Sequence, residues 1–261
     1  MQVFKSSDVH LHYRDEGPRA GRIVVFANSL GTDLRVWDAL IPLLPAGLRI
    51  IRFDKRGHGL SDASPAPYAM ETLVSDVEAL LDHLGAKDVT FVGLSIGGLI
   101  GQGLADKRPD LVKALVLMDT AAKIGSADMW NARIAAIREG GIEALADAIL
   151  ERWFTAPFRA ENPAFALWRN GLTRTTLEGY IGCCAAIAGA DFTLSTAALN
   201  LPVLAICGDQ DGSTPPDLVK ATADLARAEF HLVKDAGHIP CVEQPAATAD
   251  ILTQFLERTA Q

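Results

Sequence analysis

The sequence predicts an α/β protein in which a mostly parallel, twisted sheet carries helices on both faces and is interrupted once by an inserted set of helices. Three observations carry this. Short apolar runs rich in Val, Ile and Leu recur without polar alternation, the pattern of strands buried on both faces. Stripes of apolar residues at helical spacing separate them, and a helical crossover is what joins parallel neighbours. Between residues 121 and 199 the alternation stops, and helical patterns follow one another without a strand.

Taken in order, Val3 to Tyr13 alternates and is expected as an antiparallel edge hairpin. The strand runs are Ile23 to Ala27, Leu48 to Phe53, Val89 to Leu94, Ala114 to Met118, Val203 to Cys207 and Glu229 to Val233. Met70, Leu73, Val74, Val77, Leu80, Leu81 and Leu84 form one helical stripe, and Ile251, Leu252, Phe255 and Leu256 form another. Inside the insertion the helical segments are Trp130 to Ile137, Ile142 to Phe154 and Thr175 to Ile187. The chain thus reads as a core of residues 1–120 and 200–261 with a helical cap of residues 121–199. Ligands of open α/β sheets bind beyond the carboxyl ends of the strands, so a cap inserted after Met118 is expected to lie over the site.

A chain of 261 residues that is 49% hydrophobic and 21% charged can bury one sizeable core, which excludes disorder. Its 24 basic and 32 acidic residues leave a net charge of -8, which argues against a nucleic-acid backbone or an anionic membrane as partner. Cys183, Cys184, Cys207 and Cys241 show no metal-ligand spacing, so buried free thiols and no metal are expected. Met1 to His12 holds no apolar run of signal-peptide length, and no stretch approaches 18 uninterrupted apolar residues; the expectation is a soluble cytoplasmic protein.

The sharpest chemical signal is Gly93-Leu94-Ser95-Ile96-Gly97-Gly98, set between a strand and the helical run Leu99 to Arg108. A serine on a tight strand-to-helix turn projects its hydroxyl away from the sheet, and flanking glycines permit the turn. Such a hydroxyl needs a base, and the base needs an orienting carboxylate. Val203 to Cys207 runs into Gly208-Asp209-Gln210-Asp211, and Glu229 to Val233 runs into Lys234-Asp235-Ala236-Gly237-His238. Of the six histidines, His10 and His12 read as surface residues of the hairpin, His83 as a helix-end cation, His231 as a strand residue and His58 as a structural hydrogen-bonder. His238 alone follows the last strand on a glycine loop and is the expected base. For the acid, Asp211, further out on its loop, is favoured over Asp209, with Asp119 next in line.

Asp54-Lys55-Arg56-Gly57-His58-Gly59-Leu60-Ser61, the serine turn, Gly208-Asp209-Gln210-Asp211 and Ala236-Gly237-His238 follow one another in the order of the α/β-hydrolases, which this chain resembles over its whole length. The loop Asn28-Ser29-Leu30-Gly31, followed by Trp37, departs from the usual His-Gly of that fold. It is similar to the 3-oxoadipate enol-lactone hydrolases, as is Gly179-Tyr180-Ile181-Gly182-Cys183-Cys184-Ala185-Ala186-Ile187. The resemblance implies Ser95, Asp211 and His238 as the catalytic residues, an oxyanion hole from the backbone N–H groups of Leu30 and Ile96, and no cofactor. It also implies an anionic lactone as small-molecule substrate and a place in protocatechuate or catechol breakdown. Ser29 lacks the glycine-flanked turn and reads as a loop hydrogen-bonder beside the substrate. The substrate carboxylate needs a cation, and Arg133 is the choice among Arg133, Arg138, Arg152, Arg159 and Arg169 because it shares a helical face with Trp130, Ile134 and Ile137. Trp130, Trp153 and Phe154 read as cap packing, with Trp130 and Trp153 also walling the pocket. A general carboxylesterase, a C–C bond hydrolase and a hydrolase-like receptor are the rival readings.

Overall fold

The computed structural model describes residues 1–259. Eight strands form one sheet: β1 (Gln2–Ser6), β2 (Val9–Glu16), β3 (Ile23–Ala27), β4 (Arg49–Phe53), β5 (Val89–Leu94), β6 (Val112–Met118), β7 (Val203–Gly208) and β8 (Glu229–Val233). Their order is β1-β2-β4-β3-β5-β6-β7-β8, antiparallel at β1–β2 and β2–β4 and parallel elsewhere. Every residue of β5 and β7 is buried, as continuous apolar runs require.

The helices are α1 (Met70–His83), α2 (Ile96–Lys107), α3 (Ala127–Gly140), α4 (Ala146–Trp153), α5 (Ala156–Glu161), α6 (Phe165–Thr173), α7 (Leu177–Gly189), α8 (Thr193–Ala198), α9 (Pro216–Leu225), α10 (Pro240–Glu243) and α11 (Pro245–Arg258). The expected stripe of α1 is its buried face, from Met70 to Leu81. The segment between β6 and β7 is helical throughout, from α3 to α8, and three of its short helices, α5, α6 and α8, are too weakly patterned to be expected from the sequence. Helix α7 is fastened to the core by backbone contact. A Cβ on Gly57 would lie 2.1 Å from the Gly179 Cα, and Thr176 Oγ1 donates to the Gly57 carbonyl at 2.9 Å. Helix α8 packs on α2 and α9, with Thr196 Oγ1 donating to Gln102 Oε1 at 2.6 Å.

Three expectations are corrected. The run that becomes β4 holds two buried arginines: Arg49 pairs with Asp15 at 2.9 Å and Arg52 with Glu16 at 2.9 Å. The partners come from β2, which lies between β1 and β4, so the hairpin contributes one interior strand as well as the edge. For the same reason His12 is not a surface residue; it is buried, with Nδ1 2.8 Å from Asp54 Oδ2, whereas His10 is exposed beside Asp62. The last strand, β8, is the other edge, and only Val233 is fully buried, so its two faces are not both covered.

Candidate active site

Ser95 occupies the turn from β5 to α2 with φ of 57°, the left-handed region that costs a non-glycine residue about 1–3 kcal/mol unless its surroundings hold it there. They do. Its N–H donates to the Met118 carbonyl at 2.9 Å, and its carbonyl accepts Gly98 N–H at 2.8 Å and Thr120 Oγ1 at 2.7 Å. The turn also demands close backbone approach: a Cβ on Gly97 would sit 2.1 Å from the Ala27 oxygen, and one on Gly93 2.3 Å from the Gly97 oxygen. Glycine is required there by space, independently of backbone freedom.

After β3, the loop Asn28–Thr32 is clamped from behind. Lys55 Nζ donates to the Ser29 carbonyl at 2.6 Å and to that of Thr32 at 3.3 Å, and Gly31 N–H donates to His58 Nε2 at 3.0 Å. The His58 Nδ1–H meets the Arg56 carbonyl at 3.2 Å, which fixes the tautomer. Burial, helped by Lys55, keeps His58 neutral, well below its ordinary range. Burial likewise lowers Lys55 to about 8. The expected hydrogen bonding of Ser29 runs through its carbonyl; its buried hydroxyl has no partner among the described residues. The N–H groups of Leu30 and Ile96 are likewise left without a protein acceptor among them.

Asp211 lies 2.9 Å from His238 Nδ1, and both are buried. Its carboxylate also accepts the N–H groups of Ser213 at 2.7 Å and Thr214 at 3.1 Å and the Thr214 hydroxyl at 2.7 Å. Burial would push this carboxyl up, but the His238 ring and these donors outweigh it and hold it below the usual range. With Nδ1–H given to Asp211, His238 Nε2 is left as the basic nitrogen. Asp209 is an exposed turn residue that accepts Ala236 N–H at 3.2 Å. The loop of His238 is tied to the cap, since His238 N–H donates to the Trp153 carbonyl at 2.9 Å and Glu243 accepts from both Gly237 and Thr155.

Ser95, His238, Ser29 and Leu30 line a cavity of about 170 Å³ roofed by Trp130, Arg133 and Trp153. Ser95 and His238 share it without a hydrogen bond between them, as is common before substrate aligns such groups. The Arg133 guanidinium lies 4.9 Å from the Trp130 ring centroid, while Trp130 Nε1 donates to the Ile124 carbonyl at 2.6 Å, so the ring is a fixed platform for the cation. Arg133 forms no ion pair among the described residues, unlike Arg169, which pairs with Glu143 and Asp147, and Arg159, near Glu151. Arg138 is not part of the cavity wall, whereas Arg152 lies at its exposed rim. Tyr180 lines the cavity with a buried hydroxyl that has no hydrogen-bond partner among the described residues; burial pushes its phenol up against the opposing field of Arg133.

Among the described residues, the one grouping with metal-ligand spacing is Asp119, Asp211 and His238. His238 Nδ1 and both Asp211 oxygens are already engaged by protein hydrogen bonds, so the set does not offer a free ligand sphere.

A profile of the alpha/beta hydrolase family matches residues 24–251. The chain belongs to this family. The hydrolase is 38% identical over 257 residues to 3-oxoadipate enol-lactonase 2 of Acinetobacter baylyi, covering 97% of this chain and 95% of that one. It is 32% identical to 3-oxoadipate enol-lactonase 1 of the same organism, over 92% and 91%. Its fold superposes on the enol-lactonase from Burkholderia xenovorans LB400 with a TM-score of 0.94 at 37% identity, over 98% and 100% of the two chains.

Proposed function

We propose that this hydrolase opens an anionic enol-lactone, 3-oxoadipate enol-lactone, through a serine acyl-enzyme. The observation that carries the substrate reading is Arg133, a cation without an ion-pair partner among the described residues that shares a small cavity with Ser95 and His238. Tyr180 adds a hydroxyl donor beside it, and together they suit a carboxylate arm. The likeness to proteins named as 3-oxoadipate enol-lactonases supports the same reading.

His238 Nε2 takes the Ser95 proton as Oγ attacks the lactone carbonyl, and the developing oxyanion meets the unengaged N–H groups of Leu30 and Ile96. Asp211 holds the ring in the required tautomer and stabilises the imidazolium. The carbonyl–oxygen bond of the ring then breaks, the enol oxygen takes the proton back from His238, and the tethered enol ketonises. Water, deprotonated by His238, attacks the acyl-enzyme and releases 3-oxoadipate with Ser95 regenerated.

Arg133→Met tests the assignment. A charge-assisted hydrogen bond contributes about 1.5–3 kcal/mol, so the kcat/KM ratio of the anionic lactone to a neutral ester of similar size should fall about 10- to 150-fold. An unchanged ratio removes Arg133 from the site. A wild-type enzyme that prefers the neutral ester overturns the lactonase reading in favour of a general esterase.

A further inference from the structure

Asp119 is a fully buried ionisable group that the chemistry above does not use. It directly follows β6 with φ of 45°, and its Oδ1 accepts the Gly208 N–H at 2.8 Å. Its Oδ2 is buried with no partner among the described residues. One Asp119 oxygen, one Asp211 oxygen and one His238 ring nitrogen lie within 4.8 Å of one another. Two carboxyl groups so close, away from solvent, do not both ionise.

Donor supply decides which of them keeps the charge. Asp211 receives His238 Nδ1–H, the Thr214 hydroxyl and two backbone N–H groups; Asp119 receives one backbone N–H. The other ionisable groups facing Asp119 are the thiols of Cys207 on β7 and Cys241 on α10, both kept neutral by burial. We propose that Asp119 is un-ionised at neutral pH and donates its carboxyl hydrogen to Asp211, acting as a positioning residue that holds the Asp211 carboxylate against His238. The orphaned Oδ2 is then the hydroxyl oxygen of an acid. Burial, followed by the Asp211 charge, raises Asp119 well above the ordinary carboxyl range, consistent with this state. The inference rests on the reading of Ser95, His238 and Asp211 as the reacting apparatus but not on the lactone.

The test therefore uses a neutral ester, p-nitrophenyl acetate, with wild type, Asp119→Ala and Asp119→Asn. Ser95→Ala is the separate control: if it retains turnover, the serine reading fails whatever Asp119 does. Asp119→Ala should lower kcat about tenfold or more with little change in KM, as expected on losing a buried hydrogen bond to a charged group. Asp119→Asn should restore most of that loss, because its amide donates the same bond. Thermal melts provide a readout independent of turnover. A carboxyl whose folded pKa exceeds its unfolded value of 3.8 loses stabilising effect as pH rises above about 4, so the melting advantage of Asp119→Asn over wild type should widen from about pH 5 to pH 8. An Asp119→Asn enzyme as impaired as Asp119→Ala, or a melting difference independent of pH, overturns the proposal. Should Asp119→Ala not fold, the pH dependence of that melting difference decides alone.

Discussion

At Ser95 the side chain is the proposed nucleophile and is structurally light: it is small, slightly exposed, and held by bonds to its own backbone rather than to its hydroxyl. Ser95→Ala should therefore keep its melting temperature while losing at least about 10³-fold in turnover, the scale of removing a nucleophile; more than about a tenth of wild-type activity in a purified sample would contradict the acyl-enzyme. Asp211→Asn should cost about 10⁴-fold by presenting the wrong partner to Nδ1, and Asp209→Asn only a few-fold, as steady-state rates on one ester would show. The reverse ranking would move the acid to Asp209. Ser95, Asp211 and His238 could be picked out in the sequence because each lies within two residues of a glycine just after an apolar run, a purely local signature. Tyr180 and Asp119 could not be assigned their places by such means: what matters in each is a buried oxygen without a partner among the described residues, created by segments far apart in the chain. His12 was misread because surface alternation looks the same whether or not a third strand covers it.

For elements, the loop after β3 is the clearest case of function depending on a neighbour. In the proposed chemistry, Leu30 N–H meets the oxyanion, and Lys55 holds the Ser29 and Thr32 carbonyls on either side of it. Lys55→Met should therefore lower kcat on a neutral ester by about 10²–10³, as loss of one oxyanion donor does, while KM changes little. The stability effect has a defined sign. Lys55 is near 8 when folded and 10.5 when free, so the unfolded chain binds more protons between those values and wild type gains stability relative to Lys55→Met as pH rises across that window. Melts of both proteins across the window check this; a constant difference would mean that Lys55 is not depressed. The helices between β6 and β7 were legible where buried apolar positions recur, as in α3, α4 and α7, and illegible in α5, α6 and α8, each of which buries at most one side chain fully.

Across the whole molecule, the parallel centre of the sheet was readable because burial on both faces imposes unbroken apolar runs, whereas β4 and β8 departed from that pattern through ion pairing and edge exposure. The strand order has a kinetic corollary. Ser95 leaves the sheet at β5, in its middle, but Asp211 and His238 leave from β7 and β8, which lie furthest along the chain and reach β6 only by closing the long helical segment between β6 and β7. Non-local parallel pairing is slow because loop closure precedes the contacts that reward it. On refolding from denaturant, far-ultraviolet circular dichroism should recover ahead of esterase turnover, with the delay measuring attachment of β7 and β8 to β6. Simultaneous recovery would mean that the two ends of the active site are joined in a single cooperative step.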